Sequence, residues 1–283
     1  MAEGVAGLSA LTKEERVLLT AAQACFPCVE RPFAALGEKV GLNEEAVLQR
    51  LERLKATNVI RKIGPVFEPA RFGLASELVG VEIEPSHIEA VGTEVGSWAP
   101  VTHCYEREHR VNLWFAAVAP GEDWFESAAA STASLPGVRG VWRLPALRRF
   151  KIAVHFDLVA SPSETPTPPA SRSTASSPAG TSIPTVPASA DSVDVDLLSV
   201  LETDLPLCPT PFAALASAAQ METAAILAAL QQWTDDGRIR RYGAMVNHRR
   251  LGFTANSMTA WEVADDRVEE VGNCLASSPY VSH

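Results

Sequence analysis

The chain predicts an α+β fold. A winged helix-turn-helix followed by a ferredoxin-like βαββαβ domain occurs twice in tandem, and the second copy is truncated. Three observations predict this. The first is self-similarity: IRKIGPVFEPARFGLAS from Ile60 returns as IRRYGAMVNHRRLGFTA from Ile239, with Ile60, Arg61, Gly64, Arg71 and Gly73 matching Ile239, Arg240, Gly243, Arg250 and Gly252. A repeat at fixed offset decides architecture before any local pattern does. The second is that each copy opens on three helical patterns, with Pro32-Phe33-Ala34-Ala35-Leu36 matching Pro211-Phe212-Ala213-Ala214-Leu215. The third is a change to alternating strand periodicity after the wing.

The elements follow in order. Thr12-Lys13-Glu14-Glu15 has the spacing of a capping box ahead of an apolar helix over Arg16–Ala24. Pro32–Val40 reads as a short helix ended by Gly41, and Asn43 caps a third helix to about Thr57 whose Leu48, Leu51 and Leu54 form a buried face. Ile60–Phe67 then reads as the hairpin of the wing. Val193–Leu201, Pro211–Ala219 and Thr223–Asp235 repeat the three helices. Beyond the first wing, a strand over Leu74–Ile83, a helix over Ser86–Ser97, strands over Val101–Glu106 and Val111–Ala119 joined at Glu108-His109-Arg110, and a helix over Glu122–Ser134 are expected. A strand from Val138–Trp142, extended by Phe150–Leu158, completes the split βαββαβ order. The second copy offers Thr254–Val263, Asp265–Ser277 and the first residues of a further strand, and is expected not to close its own core.

Between the copies lies ASPSETPTPPASRSTASSPAGTSIPTVPASADS. It holds seven of the chain's 20 prolines and almost no large apolar side chains, so it reads as a semi-extended linker. The expected divisions are 1–67 and 193–246 for the two winged helix-turn-helix domains, 68–159 and 247–283 for the complete and incomplete ferredoxin-like domains, and 160–192 for the linker.

Composition narrows the function classes. A chain of 283 residues, 47% hydrophobic, can bury a core in each half. No apolar run reaches the roughly 20 residues of a membrane span. The N-terminus lacks a basic stretch followed by an apolar one, so no secretory leader is expected. Five cysteines without framework spacing fit a reducing cytoplasm. Cys25-Phe-Pro-Cys28 has redox spacing, but it lies between helices and has no second pair for zinc, so packing is the simpler account. Cys104 is expected to face the core. Trp98, Trp114 and Trp142 are assigned to the sheet core, with stacking on a planar ligand as the alternative.

A winged helix followed by a ferredoxin-like domain resembles the Lrp/AsnC transcription regulators. The recognition helices argue against duplex reading. Asn43-Glu44-Glu45 places acid where phosphates would sit, and Ala213 to Gly237 holds no Lys or Arg while Glu222, Asp235 and Asp236 are present. The net charge of −10 points the same way. The helix-turn-helix is therefore expected to serve as scaffold and pairing platform, with no DNA and no membrane partner.

The basic residues cluster instead around the wing and the sheet. His103-Cys104-Tyr105-Glu106-Arg107-Glu108-His109-Arg110 puts His103, Tyr105 and Arg107 on one face of a strand. Arginine forks grip carboxylates and a histidine moves a proton near neutral pH, so the segment is a candidate site for a polyanion. A polar, solvated hairpin with chance histidines is the plain alternative.

The segments IRKIGPVFEP, HCYEREHRVNLWFAAVA, LPALRRFKI and IRRYGAMVNHRRLGFTANSM resemble the siroheme decarboxylases, Lrp/AsnC-like enzymes of heme d1 and alternative heme biosynthesis. The tandem arrangement resembles their fused two-subunit form. The resemblance implies loss of CO₂ from the C12 and C18 acetates of siroheme, giving 12,18-didecarboxysiroheme, with no cofactor beyond the iron in the substrate. It also implies that the two halves pair with each other or with a second chain. On this reading His103, His109 and Tyr105 are the catalytic candidates, with either histidine as proton donor or iron ligand. Arg107, Arg110, Arg61, Lys62, Arg149, Lys151, Arg241, His248 and His283 are the substrate-binding candidates. His283 aligns with His103. An Lrp/AsnC-type regulator sensing a tetrapyrrole, or an inactive tetrapyrrole-binding protein, is the alternative.

Overall fold

A computed structural model describes residues 7–24, 26–151, 156, 158–159, 181–182, 192–253, 257–278 and 281. It divides into two compact units, one of Met1–Phe67, Phe150–Gly180 and Asp191–His283, the other of Glu68–Arg149 and Thr181–Ala190.

The first unit holds both helix-turn-helix modules. Helices α1 (Lys13–Ala24), α2 (Pro32–Val40) and α3 (Glu44–Ala56) lead to strand β1 (Ile60–Phe67). The capping box forms: Thr12 N–H donates to Glu15 Oε2 at 2.9 Å, and Glu15 N–H donates to Thr12 Oγ1 at 3.2 Å. Asn43 Oδ1 caps α3 by accepting from Ala46 N–H at 2.8 Å. Val47, Leu51 and Leu54 are the fully buried residues of α3, with Leu48 only half-buried beside them.

Gly41 closes α2 with φ 74°, the left-handed conformation that a glycine adopts without cost. The second copy must make the same turn with Gln220, at φ 56°.

One expectation fails here in an informative way. Ile60–Phe67 is not a hairpin but a single strand. Its partner is the equivalent strand of the second copy, β8 (Ile239–Val246). The two run antiparallel with Gly64 opposite Gly243, Ile63 opposite Ala244 and Pro65 opposite Tyr242, an approximate two-fold about the glycine pair. Among the described residues β1 and β8 form a two-stranded sheet, so each supplies the other's backbone partners.

The second unit contains β2 (Ala75–Ile83), α4 (Ile88–Gly96), β3 (Val101–Glu106), β4 (Leu113–Ala119), α5 (Glu122–Ala133) and β5 (Val138–Pro145). The antiparallel sheet order is β3-β4-β2-β5, the ferredoxin-like arrangement. Val79, Val81, Ile83, Val91, Val95, Leu113, Phe115, Ala117 and Phe125 fill the space between sheet and helices. Two-residue strands β6 (Arg148–Arg149) and β7 (Thr181–Ser182) pair beside it.

The expected extension of β5 over Phe150–Leu158 does not form among its described residues. Pro145, with no N–H to offer, is the last residue of β5. The chain then crosses to the first unit, where the Gln23 side chain donates to Phe156 O and accepts from Phe156 N–H, both at 3.2 Å, and Leu158 is buried.

The second copy continues through α6 (Ser192–Leu201), α7 (Pro211–Ala218), α8 (Thr223–Asp235), β8 and α9 (Val268–Ser277). Phe212, Leu215, Ile226, Leu230 and Trp233 take the core places of Phe33, Leu36, Val47, Leu51 and Leu54. The strand expected over Thr254–Val263 is absent from 257–263, and residues 254–256 lie outside the described set. With no neighbouring strand, Trp261 stays largely exposed and α9 has no buried residue. Among the described residues no single helix is long and apolar enough to cross a membrane.

Candidate active site

The β3–β4 hairpin gathers five of the candidate residues. β3 is an edge strand of its sheet. Its register sets His103 opposite Ala116 and Tyr105 opposite Trp114, so both side chains stand on the face away from the helices. Cys104, between them, faces inward against α4, and burial raises its thiol pKa. The His103 and Tyr105 rings lie 5.9 Å apart, and the Arg107 guanidinium sits 4.8 Å over the Tyr105 ring. The period-two ladder of His103, Tyr105 and Arg107 thus forms as the spacing requires. Thr102 Oγ1 lies 3.0 Å from His103 Nδ1.

His109 occupies the turn. Its Nδ1 accepts from Val111 N–H at 3.1 Å, so in the neutral ring the proton sits on Nε2. Arg110 donates to Glu82 Oε2 at 3.2 Å and lies 5.6 Å over the Trp142 ring.

The outer face of the sheet is largely apolar. One row across it runs Tyr105, Trp114, Gly80, Trp142, each opposite the next, and a second runs His103, Ala116, Leu78, Leu144. Trp114 and Trp142 therefore lie outside the core to which the sequence assigned them, and Trp98 alone of the three packs against it. Alternation decides this: Leu113, Phe115 and Ala117 take the inward positions of β4, leaving Trp114 the outward one. Tyr105 is 47% exposed, Trp142 40% and Leu144 46%. Trp114 Nε1–H donates to Val111 O at 2.9 Å, which fixes the indole. Gly80 makes room for it: a Cβ there would lie 3.1 Å from the Trp114 ring and 2.9 Å from Val111 Cγ1.

The remaining candidates are placed differently. Arg149 makes a two-pronged ion pair with Glu68. In the other unit, Lys62 donates to Glu202 O and Arg241 donates to Gln23 O at 3.0 Å. These contacts are equivalents under the two-fold, each a cation of one copy at the C-terminal end of the first helix of the other, where carbonyls lack helical partners. Burial lowers the Arg241 pKa. Lys151 donates to Ser278 O at 2.7 Å. His248 is half-buried, and its pKa is lowered by burial first, then by the charges of Arg249 and Arg61. His283 lies outside the described residues.

Inward-facing charge that sequence reading did not weigh is also present. The Arg143 guanidinium grips both oxygens of buried Glu77, at 2.7 and 2.9 Å, and reaches Glu122 at 2.6 Å, which raises its pKa. Neither recognition helix turns cations outward in a way that suits phosphate. The exposed residues of α3 are Glu45, Gln49, Glu52, Arg53 and Ala56, and Arg53 is paired with Glu15. The exposed residues of α8 are Ala224, Ala225, Ala228, Gln231, Gln232, Thr234 and Asp235.

A helix-turn-helix joined to an AsnC-like sheet domain defines the class, and the family models agree. Residues 15–61 and 194–240 match the siroheme decarboxylase NirDL-like HTH domain, and 71–151 and 250–283 match the AsnC-like ligand binding domain. The chain is 30% identical over 267 residues to the siroheme decarboxylase of Hydrogenobacter thermophilus, covering 94% of this chain and 76% of that one. It is 30% identical over 268 residues to the siroheme decarboxylase NirDL subunit of Paracoccus denitrificans, covering 94% and 77%. The crystal structure of the siroheme decarboxylase NirDL in complex with an iron-uroporphyrin III analogue matches at TM-score 0.65 and 25% identity, over 94% of this chain and 73% of that one. The chain belongs to the siroheme decarboxylase family.

Proposed function

We propose that this chain decarboxylates the C12 and C18 acetates of siroheme to give 12,18-didecarboxysiroheme, and that the chemistry takes place at the β3–β4 hairpin. Family membership supports the reaction. The observation that carries the location is the exposed ladder of His103, Tyr105 and Arg107 with His109 and Arg110 in the adjoining turn.

Each event converts a ring acetate, –CH₂–COO⁻, and one proton into –CH₃ and CO₂. A proton added to the pyrrole carbon beside the acetate creates the electron sink. The C–C bond breaks into it, the exocyclic carbon takes up a proton, and the ring proton leaves. The residue that supplies protons must sit near the reacting carbon and titrate near neutrality, which suits an exposed histidine. His109 presents Nε2–H because Val111 holds Nδ1. Arg107 and Arg110 match the substrate's carboxylates in charge and fork geometry, and Tyr105 sits between His103 and Arg107 to orient either.

Anaerobic incubation of the chain with siroheme, followed by mass analysis of the tetrapyrrole, tests the reaction. Loss of two CO₂ is expected. Siroheme that binds and returns unchanged overturns it.

A further inference from the structure

We infer that Asn112 is a positioning residue for His109: its side-chain amide takes the place of a backbone peptide against β2, and the peptide groups so released hold the His109 ring. This rests on the reading of the β3–β4 hairpin as the source of protons, and adds the residue that aims one of its two histidines.

Asn112 stands at the end of the hairpin turn, one residue ahead of β4, and is half-buried. Its Oδ1 accepts from Ile83 N–H at 2.9 Å, and its Nδ2 donates to Ile83 O at 2.8 Å. One carboxamide thus satisfies both main-chain groups of Ile83, because it carries the same kinds of donor and acceptor as a peptide. The pair also fixes which way the amide faces, since the Ile83 N–H must meet an oxygen and the Ile83 O must meet an N–H.

The register shows what the amide replaces. Val81 lies opposite Leu113, so two further places along the ladder would set Val111 opposite Ile83. Asn112 N–H also donates to Val81 O at 3.0 Å, so two successive residues face one residue of β2 and the ladder is interrupted there. Val111 is left with an N–H and a C=O that Ile83 does not claim. Val111 is buried, and buried peptide groups need partners. Its N–H donates to His109 Nδ1 at 3.1 Å, and its C=O accepts from Trp114 Nε1–H at 2.9 Å. Arg107 N–H donates to Asn112 O at 2.8 Å, and His109 N–H donates to Arg107 O at 2.9 Å, which closes the turn. Asn112 therefore ties the turn through its side chain, its N–H and its C=O.

The consequence is chemical. A neutral imidazole whose Nδ1 accepts a hydrogen bond carries its proton on Nε2, the nitrogen farther from the backbone. Without the amide, Ile83 is open to Val111, the ladder extends by a pair, and the Val111 N–H turns from His109 to Ile83. Loss of Asn112 then frees the ring while every candidate histidine and arginine of the hairpin stays in place.

The test uses the full chain, with NMR of the His109 ring nitrogens, identified by their absence in His109→Ala, alongside steady-state CO₂ release from siroheme. The wild-type ring is expected as the Nε2–H tautomer. Asn112→Ala is expected to bring in the Nδ1–H tautomer and to lower kcat by about tenfold or more, with KM changed by less than about twofold. Asn112→Asp keeps an acceptor for Ile83 N–H but sets a second oxygen against Ile83 O, and is expected to fall between. In a chain already carrying His109→Ala, Asn112→Ala should slow turnover no further. An Asn112→Ala variant with full kcat overturns the inference and leaves the activity standing. One that slows the wild type and His109→Ala by the same factor also overturns it, and makes Asn112 a matter of folding alone. A wild-type ring protonated on Nδ1 overturns it even where no Asn112 variant folds. A wild type with the Nε2–H ring that releases no CO₂ removes the decarboxylase reading, and the positioning role with it.

Discussion

The helix-turn-helix unit and the β3–β4 hairpin use their cations differently. In the helix-turn-helix unit, Lys62, Arg241, Lys151 and Arg240 spend their N–H groups on backbone carbonyls, and Lys55 and Arg53 on carboxylates of the chain itself. On the sheet hairpin, Arg107 and Arg110 also lie over exposed aromatic rings, each with one N–H given to the chain itself, to Glu106 O at 2.9 Å and Glu82 Oε2 at 3.2 Å. Basic residues therefore do two different jobs. Backbone carbonyls at a helix end need donors, while an aromatic surface leaves a guanidinium available to a ligand.

Substitutions break or sharpen that contrast. The largest effect is expected on turnover. His103→Ala and His109→Ala should include one variant slowed by about 100-fold or more, with thermal unfolding little changed. Steady-state CO₂ release measures it, and full rates in both would remove proton delivery from the hairpin. The sheet unit also has one inward cation, and it should behave as those of the other unit do. Arg143→Ala leaves Glu77 buried without its partner and should cost about 3 kcal/mol or more in urea unfolding. A loss near zero would mean that Glu77 finds water instead.

Arg241→Ala and Lys62→Ala occupy equivalent positions, and each should lower stability by about 1–2 kcal/mol. Arg241 should lose more, because it is the more desolvated of the two donors. Equal losses would show that the two-fold extends to energetics. The smallest effect concerns pH. Burial and two arginines hold His248 below its ordinary value of 6.5. The unfolded chain then binds the proton more readily, so stability is fully present above pH 6.5 and declines as pH falls through the lowered folded-state value. His248→Gln should flatten that slope in thermal melts between pH 7 and 5, and an unaltered slope would place its origin elsewhere.

The fold was legible where sequence supplies a local physical signal. The capping box at Thr12, the glycine stop at Gly41 and the alternation along Val101–Glu106 each specify their element without help from afar. The repeat itself announced two equivalent modules. What could not be read locally was pairing. Nothing within Ile60–Phe67 says whether its partner is the next strand along or a strand in the other copy, because backbone hydrogen bonds carry no address. Trp114 and Trp142 show the same limit. A tryptophan in a strand suggests a core, but only the register says which face it takes. That His103, Tyr105 and Arg107 share one face was legible because period two is a property of one strand. The acceptors of Lys62 and Arg241, Glu202 O and Gln23 O, were not legible because they lie in the opposite copy.

The strand pair at Gly64 and Gly243 bears on how such a chain diverges. In a homodimer every change appears on both sides of the axis and must tolerate itself. Here the partners are parts of one sequence, and each position is free to answer its opposite number. Tyr242 stands buried where the first copy has Ile63, and Asp204, which accepts from Ile63 N–H and Lys55, stands where it has Cys25. Neither change need be matched by its twin. Joining the copies turns a symmetric handshake into a lock with two different halves, and that is the condition under which one half can specialise while the other keeps the fold.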